Sequence, residues 1–193
     1  IWENEFMTDV LFYQNYTYVA DISAIVLCII CWLLLHSSYT VREKSLIIFK
    51  AGTVCLMMAT VCSISFHTAI TRITESRKIL IYVLQDGIYL LLILTFVLLC
   101  NYFGTLLKLE ERPARLLGAV SWGGYAVFAF LEIGSPFTHL GFYIDADLMV
   151  HQNFYFDPFR FAYIYYCIVL VVVLFTYRKK FVLKMLRCQI GRA

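Results

Sequence analysis

The chain has 193 residues, of which 62% are hydrophobic and 15% charged, and its formal net charge is +3. Soluble domains lie near ~45–50% apolar and ~25% charged, so a water-soluble globule of this length could not cover so much apolar surface. The composition therefore excludes a sizeable soluble domain, gives no basis for nucleic-acid binding, and points to a lipid bilayer as the solvent.

Residues 1–20 are acidic, with Glu3, Glu5 and Asp9 and no Lys or Arg. This opening lacks the basic start of a cleavable signal peptide. Asn15-Tyr16-Thr17 matches an N-glycosylation sequon, which has meaning only on the outer side of a eukaryotic secretory membrane. Five apolar runs follow: Tyr18 to Leu35, Leu46 to Ile70, Ile79 to Leu107, Leu116 to Ile133 and Phe161 to Tyr177. Each approaches the ~20 residues that cross a hydrocarbon core. Backbone groups cannot be left unpaired in lipid, so each run is expected to be helical. Pro113, Pro136 and Pro158 all fall between runs, as helix ends require. The expected fold is all-α, a polytopic bundle of about five transmembrane helices over 1–177, followed by a basic cytoplasmic helical tail over 178–193.

The connections carry the orientation. With the N-terminus outside, 12 of the 16 Lys and Arg residues fall on the cytoplasmic side, half of them between Arg178 and Arg192. Arg72, Arg77 and Lys78 in the second connection vote the other way. The reading is a multi-pass plasma-membrane protein with its N-terminus out and C-terminus in. The long connection Gly134 to Arg160 is aromatic and acidic. In it, Gly141 to Asp145 reads as a strand, Ala146-Asp147 as a turn and Leu148 to Val150 as the return, giving a small outer β-hairpin; an irregular loop is the alternative. The tail alternates apolar residues with cations. It fits an extension of the last helix or an anionic-leaflet contact, and equally a plain anchor.

Six of the seven cysteines lie in apolar runs and the seventh, Cys188, lies in the tail, so no oxidised outer framework is expected. Cys28 and Cys31 form a C-x-x-C inside a helix, where they read as small packing residues. His36, His67, His139 and His151 have no metal spacing, and no hydrolase, kinase, P-loop or dinucleotide signature is present. No catalytic residue, metal site or cofactor is assigned, and this segment reads as a non-enzyme. Ala119 and Gly123 make a small-xxx-small pair that permits close helix packing, either within the bundle or in a homodimer.

Ionisable groups inside the membrane are costly and point to function. Asp86 lies about 12 Å along the third helix from Lys78. Tyr82 and Tyr89 share its face at i−4 and i+3, and Gln85 is adjacent. Candidate partners are His67, Arg160 and Glu132. The stripe reads either as the floor of a ligand pocket open to the outside, made by Asp86, Tyr82, Tyr89, Gln85, His67 and Arg160, or as an interhelical hydrogen bond that fixes packing.

The N-out bundle, the outer segment Phe142-Tyr143-Ile144-Asp145 and a last helix leaving on a basic stretch resemble the N-terminal multi-helix membrane domains of clostridial and related Gram-positive signalling proteins. In that class a GGDEF diguanylate cyclase, an EAL phosphodiesterase or a histidine kinase domain follows the membrane domain. The resemblance implies a sensory module that binds a small extracytoplasmic ligand and relays to a cytoplasmic output domain, in cis or in trans. A small transporter or channel subunit is the alternative. It calls for broken helices or a polar pore along several helices.

Overall fold

The computed structural model describes residues 19–33, 44–71, 73–139, 141–145, 148, 150–152 and 157–178. The sequon and the basic tail beyond Arg178 lie outside the described residues. The chain folds as an all-α bundle with a small two-stranded hairpin. A short helix α1 (Val19–Leu33) is followed by α2 (Lys44–Ile70), α3 (Glu75–Leu106) and α4 (Glu111–Ile133). A single turn α5 (Ser135–Thr138) leads into strands β1 (Phe142–Ile144) and β2 (Val150–Gln152), and α6 (Pro158–Thr176) closes the fold.

Helices α2, α3, α4 and α6 are long and apolar enough to cross a membrane, and only 11–22% of their most hydrophobic windows is buried inside the protein. Phe130, Phe175, Ile79 and Leu116 are among the large side chains turned outward. This is the pattern of helices whose outer faces lie in lipid. The hydroxyls of Thr53, Thr60, Ser65, Thr95, Thr105 and Ser121 each donate to the carbonyl four residues back, so none needs water.

The helices begin where local chemistry starts them. Helix α4 starts five residues before its apolar run, with an exposed Arg115–Glu111 ion pair at 3.2 Å and Pro113 in its first turn. Proline is tolerated there because the first amides have no intrahelical partner. Asp157 caps α6 by accepting from the Phe159 amide at 3.0 Å, and Pro158 takes the first helical position.

Two apolar clusters hold the bundle. One joins Ile93, Val97 and Cys100 of α3 to Leu117 of α4 and to Ala162 and Tyr166 of α6. The other joins Phe66 and Ala69 of α2 and Ile81 of α3 to Phe142 and Ile144 of the hairpin. Between α4 and α6 the backbones come close at Gly124, where an added Cβ would stand 2.5 Å from Tyr165 Cε1. Tyr165 and Tyr166 donate to the carbonyls of Val120 and Ser121 at 2.9 and 2.7 Å. Gly123 has open space around it. The close approach within the bundle thus uses Gly124 rather than the Ala119–Gly123 pair, which faces outward.

The hairpin pairs Phe142 with Gln152, Tyr143 with His151 and Ile144 with Val150. The return strand starts at Val150, two residues later than the sequence suggests. Leu148 has φ +62° and its amide bonds Asp145 O at 3.4 Å, so Leu148 belongs to the connection and not to the return strand. Gly141 makes the entry: its φ is +86°, and a Cβ there would stand 3.0 Å from Ser135 Oγ and 3.1 Å from Pro158 Cδ.

Candidate functional site

The hairpin is fixed to the end of the bundle where α2 meets α3. Tyr82 Oη accepts from the Ile144 amide at 2.7 Å and lies 3.4 Å from the Ile144 carbonyl. Its ring meets Phe142 edge-on at 5.8 Å, and Phe66 meets the same ring at 5.7 Å. Lys78 Nζ donates to Asp145 O at 3.0 Å. The loop histidines belong to the hairpin itself. His151 pairs with Asp145 at 2.9 Å and stacks on Tyr143, whose ring also meets His139.

Beside the hairpin, α3, α4 and α6 bring together a cluster of polar groups. Glu132, in the last turn of α4, is 1% exposed, and its Oε2 has no hydrogen-bond partner among the described residues. Its carboxyl group lies within electrostatic reach of Asp157 and Asp86. Tyr89 adjoins Gln85 and lies near Asp157, Glu132 and Arg160. Its ring stacks on Phe159 at 4.6 Å and 9°. Arg160 Nε stands 3.9 Å from Asp157 Oδ2. Gln85, Ser135 and Asp157 are buried, and Ser135 Oγ donates to Phe142 O at 3.2 Å.

The structure therefore gathers Asp86, Gln85, Tyr89 and Arg160 in one place. Tyr82 serves instead as the hairpin's anchor, one turn earlier in α3. His67 lies elsewhere: it packs against Phe66, and Asp21 is its charged neighbour. Asp21 in turn accepts from Ser63 at 2.8 Å, joining α1 to α2. Glu132, weighed in the sequence only as a partner for Asp86, is the most buried ionisable group of the cluster. Asp157 and Ser135 were not singled out. Asp-Pro-x-Arg at 157–160 is a helix-start pattern, and that was the signal available for Asp157.

No protein-family model, curated protein or solved structure matches the chain. The site must be read from its own geometry.

The helices run far beyond the cluster. Asp86 to Leu106, Glu111 to Glu132 and Asp157 to Thr176 each span about 30 Å at about 1.5 Å per residue. That is the thickness of a hydrocarbon core. The stretch of each helix beyond the cluster is therefore long enough to cross such a core, and the first three turns of α3, Glu75 to Asp86, lie on the hairpin side of the cluster.

Proposed function

We propose that the chain is a membrane-embedded sensory module whose ligand site is the polar cluster around Glu132, with the hairpin end outside and the inner end of α6 leading to a cytoplasmic output domain. The observation that carries this reading is the Glu132 carboxyl group: fully buried, with an oxygen lacking a partner among the described residues, and within electrostatic reach of Asp86, Asp157 and Tyr89. An unpaired carboxyl oxygen in such a place is costly unless another group completes it. Its place at the last turn of α4 and the first turn of α6, on the hairpin side, is where a water-borne ligand from that side would reach it. The cluster spans α3, α4 and α6, so a ligand that favours one arrangement of these helices shifts their far ends through its unequal affinity for the two states. The resemblance to bacterial signalling proteins supplies the expected outputs, cyclic-di-GMP turnover or a kinase.

The test has two steps. The full chain in nanodiscs is screened by thermal shift against water-soluble compounds of every charge type. Spectroscopic labels at Leu106→Cys and Thr176→Cys, at the end away from the hairpin, then report the α3–α6 spacing. The reading expects a stabilising compound that also changes the spacing, with both effects abolished in Asp86→Ala. Absence of any ligand, or binding that leaves the spacing fixed, overturns it.

A further inference from the structure

The cluster's chemistry narrows what it can take. Three carboxyl groups, of Asp86, Glu132 and Asp157, meet one guanidinium, that of Arg160. Arg160 already stands 3.9 Å from Asp157. Glu132 and Asp86 lie within electrostatic reach of one another, no salt bridge to either is formed among the described residues, and the Glu132 Oε2 is orphaned. Among the described residues, no three His, Cys, Asp or Glu side chains converge closely enough to hold a metal ion. A bare divalent ion needs such convergence, with several oxygens at about 2.0–2.6 Å. A larger cation does not: an alkylammonium group carries its N–H donors outward and can bridge carboxylates that no single ion would join. The Tyr89 ring, stacked on Phe159 beside the carboxylates, is a surface that such cations favour over anions.

We propose that the site takes an organic ammonium group, bound between Glu132 and Asp86 beside Tyr89. This rests on the ligand-site reading above and deepens it. No bond is made or broken. The ammonium N–H groups donate to the orphaned Glu132 oxygen and to Asp86, and the alkyl part lies against the aromatic pair.

The probes are butylammonium and 1,4-butanediammonium, with butyrate and butanol as shape-matched controls, titrated against the full chain in nanodiscs. The expected result is saturable binding of the ammonium probes alone, weakened at least tenfold in Glu132→Gln. Where Glu132→Gln does not fold, Asp86→Asn, at a half-buried position, gives the same comparison. Equal binding of the probes to wild type and variant, or to butanol and butyrate alike, overturns the inference. If a neutral or anionic compound from the wider screen binds and depends on Glu132, the ligand site stands and the ammonium assignment falls. If nothing of any charge binds, and Glu132→Gln raises the thermal midpoint, Glu132 is a packing residue and both readings fall.

Discussion

A tyrosine hydroxyl inside an apolar bundle needs a partner, and the phenols here show what that requirement does. Tyr166 is fully buried and donates to Ser121 O, while its ring stacks on Phe96 at 6.0 Å. Tyr166→Phe keeps the stacking and loses the bond, so thermal denaturation should register a loss of about 1 kcal/mol with the fold retained. Tyr82 is different, because its loss strands a backbone amide. Tyr82→Phe should cost about 1–3 kcal/mol locally and free the hairpin, read as faster hydrogen exchange at Ile144 with the helices unchanged. The i−4, i+3 spacing about Asp86 already placed Tyr82 and Tyr89 on one face of α3. That spacing is a property of one helix. It carries no information on which neighbour covers each turn, and here the hairpin takes Tyr82 while α6 takes Tyr89.

Among the elements, the α4–α6 contact is the most sensitive to a single methyl group. Gly124→Ala puts a Cβ 2.5 Å from Tyr165, and overpacking of this kind costs about 1–3 kcal/mol. Gly123→Ala meets nothing within 4 Å and should leave the thermal midpoint unchanged or raise it slightly, since alanine is the better helix former. The pair of variants, melted side by side, checks which small residue faces α6. Sequence spacing identified a small-residue stripe on α4 but chose the neighbouring one. Adjacent residues differ by about 100° around a helix, and Gly123-Gly124 offers both choices with the same composition. The helices themselves were legible because lipid demands long apolar runs. Their starts were less so, since α4 begins on polar residues. The hairpin was legible from its β-branched and aromatic residues, but its register was not, because Leu148 adopts a left-handed conformation that its residue type does not announce.

Over the whole molecule, the bundle and its membrane character follow from composition, whereas the site needed tertiary placement: Asp86, Glu132 and Asp157 are separated by 46 and 25 residues in sequence. The proposed orientation predicts that Leu148→Cys in the hairpin turn reacts with a membrane-impermeant maleimide on intact cells. Arg178→Cys should react only after permeabilisation. The reverse pattern would invert the topology and place the cluster on the cytoplasmic side. A transporter reading predicts uptake of the bound compound into proteoliposomes; the sensory reading predicts binding without flux. The place of Glu132 in the last turn of α4 also bears on how the protein is made. When α4 enters the membrane, Asp157, Arg160 and the rest of α6 have not yet been synthesised. A carboxylate in the middle of α4 would then wait in hydrocarbon at a cost of several kcal/mol. In the last turn of the helix it waits close to water and headgroups. Sealing Glu132 away is left to the arrival of α6, so the last helix both completes the bundle and creates the site, and a nascent chain stalled before Pro158 carries the carboxylate still wet.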